Sequence, residues 1–315
     1  MGWQEPDKSN GELKLIEEEL LLEIIDRNRY VWEDRVTRKI VMAWLSNFSG
    51  EVSECPKEHS IAIDLLNNFL YYGEKEIKYL CRAAFSLLKR SEIVENTSLY
   101  LGTNAGNSIS EFIKSCKFSY IGRAGESGAL ILYHFRQENR LSIEQFAEPT
   151  AFLTGEISDT ELSGANLVFI DDFLGTGRTA CDFWNSKIAA IKERCPRAKF
   201  HYLALLATTR ALDNVRSRTG LAVICPQILD DSHRVFSETS SVFPDREKRD
   251  FAKRVCEFYG CHLAGRPHAL GYRNSQTLLG FHHNIPDNTL PVIWSEVERP
   301  NSRKWHPLFK RGPKF

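Results

Sequence analysis

Two adjacent carboxylates, Asp171 and Asp172, follow the apolar run Leu167-Val-Phe-Ile170 and precede the segment Gly175-Thr-Gly-Arg-Thr179. A short apolar run bounded by turn residues predicts a buried strand, here one that delivers both acids to its carboxyl end. Glycines let a backbone approach a ligand closely and adopt positive φ. Threonine hydroxyls and the free N–H groups at a helix start, aided by the helix dipole, hold a phosphate. A Walker loop needs a Lys before its Ser or Thr and a longer span from its first Gly, and neither occurs here. A dinucleotide fingerprint places its acid on the following strand, whereas these acids come first. The pattern points to a ligand with a phosphomonoester at one end and hydroxyls at the other. The plain alternative, a structural strand–turn–helix, leaves two strand-end carboxylates without partners, which is costly.

The elements that must position this loop are legible on either side of it. From Ser98 to Cys225 short apolar runs alternate with polar turns and helical stretches. Strands are predicted at Ser98–Gly102, Phe118–Gly122, Leu167–Ile170, Phe200–Ala207 and Leu221–Cys225. Helices are predicted at Asn107–Cys116, Gly128–Arg140, Thr179–Arg194 and Thr209–Arg218. This alternation implies a parallel sheet covered by helices on both faces. The polar stretch Leu141–Asn166 fits the rhythm least and reads as a disordered loop or an active-site lid.

Before that core the pattern is helical, over Glu12–Asp26, Glu33–Phe48 and Ile61–Arg90, with Gly73 dividing the last stretch into two helices. After Pro226 the chain is irregular, and Arg246–Phe258 is its clearest helix. The expected division is a helical region 1–97, an α/β core 98–230 and a C-terminal cap 231–315. In the tail, Arg299, Arg303, Lys304, Lys310, Arg311 and Lys314 are interleaved with Trp305, Phe309 and Phe315 and with no acid. Cations beside stacking rings bind single-stranded nucleic acid or an acidic protein; a solvated terminus is the plainer reading.

The 315 residues carry 41 Lys plus Arg against 41 Asp plus Glu, a balance that excludes a globally basic nucleic-acid coat and an acidic disordered chain. The N-terminus has no secretory pattern, Pro6 breaks a myristoylation motif, and the most apolar stretches are too short for a bilayer. The eight cysteines are scattered without a CxxC pair, which leads us to expect a reduced cytoplasmic setting. Cys256, Cys261 and His262 lie close together but lack a second ligand pair at finger-like spacing, so the cysteines read as core residues.

An acid pair followed directly by Thr-Gly-x-Thr resembles the ribose-5-phosphate site of the type I phosphoribosyltransferases. Their pattern is matched by the apolar strand, Asp171, Asp172, Leu174, Thr176, Gly177 and Thr179. The resemblance implies that Gly175, Thr176, Gly177, Arg178 and Thr179 wrap the 5-phosphate of phosphoribosyl pyrophosphate (PRPP). Asp171 and Asp172 would hold the ribose hydroxyls and act in catalysis, with Mg²⁺ carried by the substrate rather than by a protein cage. It implies a diphosphate loop within Tyr120–Gly128, using Arg123, Gly125, Ser127 and Gly128, where a plain βα turn is the alternative. The Leu141–Asn166 stretch would stand where the family has a flexible hood, yet no Lys or Arg occurs between Arg140 and Arg178. The wider chain, with Gly271–Trp294, resembles phosphoribosyltransferase-like proteins of bacterial anti-phage conflict systems, some retron-associated. Asn274, Gln276, His283 and Asn284 would then line a base or acceptor pocket, and a defence-system protein would be a partner. A catalytically silent nucleotide sensor on the same fold is the competing expectation.

Overall fold

A computed structural model describes residues 23, 26–96, 105–122, 127–297 and 304–312. The expected strand at 98–102 and most of the expected helix at 12–26 lie outside the described residues. The chain divides into two compact units, Glu74–Pro244, and Met1–Gly73 together with Asp245–Phe315.

The first of these units is mixed α/β. In chain order it holds helices α1 (Glu74–Glu95) and α2 (Ala105–Ser115), strand β1 (Cys116–Tyr120) and helix α3 (Ser127–Asn139). Strand β2 (Asn166–Leu174), helices α4 (Arg178–Phe183) and α5 (Ala189–Arg194), strand β3 (Lys199–Thr208), helix α6 (Thr209–Thr219), and strands β4 (Val223–Ile224) and β5 (Gln227–Leu229) complete it. A π-turn over Trp184–Ile188 joins α4 to α5 in one helical run.

The sheet order is β1-β2-β3-β4, with β5 also paired to β3, and every pairing is parallel. Its strands are apolar on both faces because helices cover both. Phe118 of β1, in register with Val168, packs on Phe85 of α1 and Phe135 of α3. The opposite parity, Leu167 and Phe169 of β2 with Tyr202 and Ala204 of β3, buries against Ala180, Ile188, Ile191 and Val215 of the α4–α6 side.

The Leu141–Asn166 stretch is not a loose loop. Phe146 bridges Phe118 at the β1 edge, and two short turns, Ala151–Thr154 and Asp159–Leu162, bury Phe152 and Leu162. Arg194 ties the same segment down, donating to the carbonyls of Phe152 and Ile157 at 2.8 and 2.9 Å. A few large apolar side chains in a mostly polar stretch are enough to dock it.

The second unit joins helices Arg38–Leu45, Cys55–Asn67 and Arg246–Ala264 to a two-stranded parallel sheet of Leu70–Tyr72 with Leu279–Phe281. Residues 70–72 were expected within a helical stripe. Their aromatic, β-favouring run instead pairs with a partner some 200 residues away, and context decides such short runs. In the same unit Glu58, fully buried, accepts the N–H groups of Gly50, Val52 and Ser53 and the Tyr259 hydroxyl at 2.6–3.0 Å. Such complete pairing is what lets a carboxylate sit in an interior.

Candidate functional site

Strand β2 carries Asp171 and Asp172 near its carboxyl end, and successive side chains of a strand face opposite ways. Asp171 shares its face with Leu167 and Phe169, towards the α4–α6 side, and Asp172 shares the other. The Tyr202 hydroxyl, on β3, donates to Asp171 Oδ2 at 2.9 Å. The Asp172 N–H donates to Asp171 Oδ1 at 3.0 Å, and the Phe173 N–H donates to Asp172 Oδ1 at 2.7 Å. Part of the Asp171 residue stays accessible, but packed atoms crowd its carboxyl. Burial, followed by the neighbouring Asp172 charge, holds that carboxyl well above the ordinary carboxylate range, against the Tyr202 hydrogen bond. The Tyr202 phenol is pushed up as well, by burial and then by Asp171.

Gly175 to Thr179 turn the chain from β2 into α4. Gly177 takes φ +73°, and a Cβ there would stand 2.9 Å from the Ala211 carbonyl oxygen and 3.0 Å from Val215 Cγ2. The position therefore requires glycine twice over, for its backbone angle and for its close approach to α6. Two loop carbonyls are drawn back towards the protein. The Thr208 hydroxyl donates to the Gly175 oxygen and Asn214 Nδ2 to the Thr176 oxygen, both at 2.8 Å. With those acceptors engaged, and with the first N–H groups of a helical run lacking intrahelical acceptors, the loop can present donors to an anion. Arg178 and Thr179 are exposed, and Arg178 Nε lies 3.4 Å from Asp182 along its own helix.

In the expected diphosphate loop, Ser127 opens α3 and Gly128 is buried, where a Cβ would stand 2.9 Å from Tyr120 Cβ. Arg123 and Gly125 lie outside the described residues. Asn274, Gln276, His283 and Asn284 belong to the other compact unit. There Gln276 Nε2 donates to Asn274 Oδ1 at 2.9 Å, the Ile285 N–H donates to Asn284 Oδ1 at 2.9 Å, and the His283 ring stacks on Phe281. Arg273, Asn274 and Gln276 all have positive φ, between 53° and 59°, an uncommon concentration for residues other than glycine.

Sequence reasoning missed Tyr202, Thr208 and Asn214, the side chains that brace the acids and the loop. Their one sequence signal is position: a Tyr in the strand after the acids, a Thr at the N-cap of the helix after that, and an Asn in the middle of that helix. In the tail, Trp305 and Phe309 are buried. Phe309 stacks on Phe69 and Tyr71, and Trp305 Nε1 donates to the Val292 carbonyl, so neither ring is offered to a nucleobase. Lys310 pairs with Glu296 and Arg311 with Asp287; Arg299, Arg303, Lys314 and Phe315 lie outside the described residues.

Among the described residues no group of three or more His, Cys, Asp or Glu is placed to hold a metal ion. Cys256 is buried. The adjacent carboxylates are hard oxygen donors, suited to meeting an Mg²⁺ that arrives on a substrate rather than to caging one alone. No described helix is long and apolar enough to cross a membrane. The sequence profile of the PRTase-CE family matches residues 41–311. No curated protein matches the chain.

Proposed function

The chain belongs to the PRTase-CE family, a phosphoribosyltransferase-like family, and from that premise we propose that it binds PRPP and transfers its phosphoribosyl group. The observation that carries this reading is the braced turn after β2. Its carbonyls are tied to Thr208 and Asn214, and its Gly177 is locked against α6, directly beyond two acids. In this proposal the N–H groups of Gly175–Thr179 and the hydroxyls of Thr176 and Thr179 hold the 5-phosphate. Asp172 and Asp171 accept the ribose 2- and 3-hydroxyls. Ser127 and Gly128, with Arg123 and Gly125, receive the diphosphate. Mg²⁺ bound to that diphosphate supplies charge neutralisation as pyrophosphate leaves. Acceptor recognition by Asn274, Gln276, His283 and Asn284 is a separate proposal on which the PRPP site does not depend.

The test is pyrophosphate release from PRPP, with and without Mg²⁺, across candidate acceptors. Release that requires Mg²⁺ and disappears in Asp171→Asn and Asp172→Asn supports transfer. The absence of any Lys or Arg between Arg140 and Arg178 favours a second reading, a nucleotide sensor without turnover; saturable PRPP binding with no pyrophosphate would select it. A protein that binds no PRPP would refute both. The resemblance of Gly271–Trp294 to conflict-system proteins supports a role in anti-phage defence. That role predicts fewer plaques on cells carrying the wild-type chain than on cells carrying Asp172→Asn.

A further inference from the structure

At the β1 edge of the α/β unit, beside α3, an open pocket of about 290 Å³ is lined by apolar Leu132, Ile143 and Phe146 and by the Tyr133 ring. Arg136 and Glu148 line the same space. They do not form an ion pair with each other, and among the described residues neither meets another opposite charge; Arg136 is half-buried, and its guanidinium carbon lies 6.0 Å from the Tyr133 ring centroid. Glu148 Oε2 accepts a hydrogen bond from the Tyr120 hydroxyl, which fixes the carboxylate and leaves Oε1 turned to no partner among the described residues.

An open cleft that carries a half-buried cation and an exposed carboxylate, neither with a counter-charge among the described residues, selects among ligands. A simple anion suits Arg136 but meets Glu148, and a simple cation suits Glu148 but meets Arg136, so both are disfavoured. A neutral apolar molecule would leave both charges partly desolvated without a partner. A zwitterion satisfies both. The volume lies at the lower end of small-molecule sites, about 300–1,000 Å³, and admits a molecule built on one ring. We propose that this pocket binds a small zwitterion with an apolar ring, of which an aromatic α-amino acid is the simplest. The carboxylate lies against Arg136, the ammonium against Glu148, and the ring against Leu132, Ile143 and Phe146. Tyr120, at the head of the expected diphosphate loop, also lines this pocket, but Arg136 and Glu148 have no part in the phosphoribosyl reading, so the two can fail separately.

The experiment is isothermal titration of the full chain with L-phenylalanine, 3-phenylpropionate, phenethylamine and N-acetyl-L-phenylalanine. Phenylalanine is expected to bind saturably, and each analogue, lacking one charge, at least about tenfold more weakly, the worth of one charged hydrogen bond. Arg136→Met and Glu148→Gln are each expected to weaken phenylalanine by a similar factor; the Gln variant keeps an acceptor for Tyr120. The analogue series reads the same charges without altering the protein, so a misfolded variant does not blunt the test. No saturable binding of phenylalanine, an analogue that binds as well as phenylalanine, or folded variants with unchanged affinity would overturn the proposal.

Discussion

Replacing Gly177 with Ala tests whether the turn after β2 is built as described. Two costs add at this position. An L-residue held at φ +73° loses about 1–2 kcal/mol relative to glycine. A Cβ 2.9 Å from the Ala211 oxygen and 3.0 Å from Val215 Cγ2 adds an overpacking cost of about 1–3 kcal/mol, since the nearer atom is backbone and cannot swing aside. The expected total is about 2–5 kcal/mol. Gly220, which caps α6, supplies an internal control. It has the same φ of +73° but nothing within 4 Å of an added Cβ, so Gly220→Ala carries only the first cost, about 1–2 kcal/mol. Urea unfolding, with hydrogen exchange followed across β2 and β3 to isolate this unit, gives both values. Adding Val215→Ala to Gly177→Ala removes the side-chain clash alone, and a double-mutant cycle is expected to show favourable coupling of about 0.5–1 kcal/mol. PRPP binding is expected to fall in Gly177→Ala and to persist in Gly220→Ala. Equal losses of stability in the two glycine variants, or a cycle without coupling, would refute the close approach of the loop to α6.

Three further outcomes follow from side chains around the same sheet. Tyr202→Phe removes the hydroxyl that pulls against the upward shift of Asp171, so that carboxyl moves higher still; the acid limb of any pH–rate profile is expected to shift to higher pH, with stability reduced by about 1–3 kcal/mol. An unchanged limb would separate Asp171 from turnover. Asn214→Ala frees the Thr176 carbonyl and is expected to cost about 1 kcal/mol of stability and to raise the dissociation constant for PRPP several-fold, measured by calorimetry. His201, held by burial and then by the Lys199 charge at a pKa of about 4 against an ordinary 6.5, stays neutral where the unfolded chain already takes up a proton. Its contribution is therefore full above pH 6.5 and is lost as pH falls to 4, about 3 kcal/mol in all. His201→Gln should flatten the stability curve across that window, and an equally steep curve would count against a buried neutral imidazole.

Why some of this could be read from the chain and some could not follows from the distance over which each contact acts. Asp171, Asp172 and the turn through Thr179 are neighbours along one strand–turn–helix unit, so residue type and spacing alone point to a phosphate and a pair of hydroxyls. Tyr202 reaches Asp171 only because β2 and β3 pair in a particular register, with Asp171 opposite Ala204. Asn214 reaches Thr176 only because α6 folds back beneath the turn. Neither relation leaves a local mark. The strand at Leu70–Tyr72 escaped for the same reason, its partner lying at Leu279–Phe281. The left-handed backbone of Gln276 escaped because nothing in a Gln side chain announces positive φ.

The pairing of Leu70–Tyr72 with Leu279–Phe281, and the stacking of Phe309 on Phe69, make one compact unit from segments that precede and follow the α/β unit in the chain. During synthesis the α/β unit is complete once residue 244 has emerged, whereas the earlier residues must wait for those from Asp245 onward before their apolar rings are covered. A ribosome that stalls in between would release a finished sheet attached to an unfinished neighbour. Premature termination soon after residue 245 would therefore wound the residues made before the α/β unit as much as those made after it.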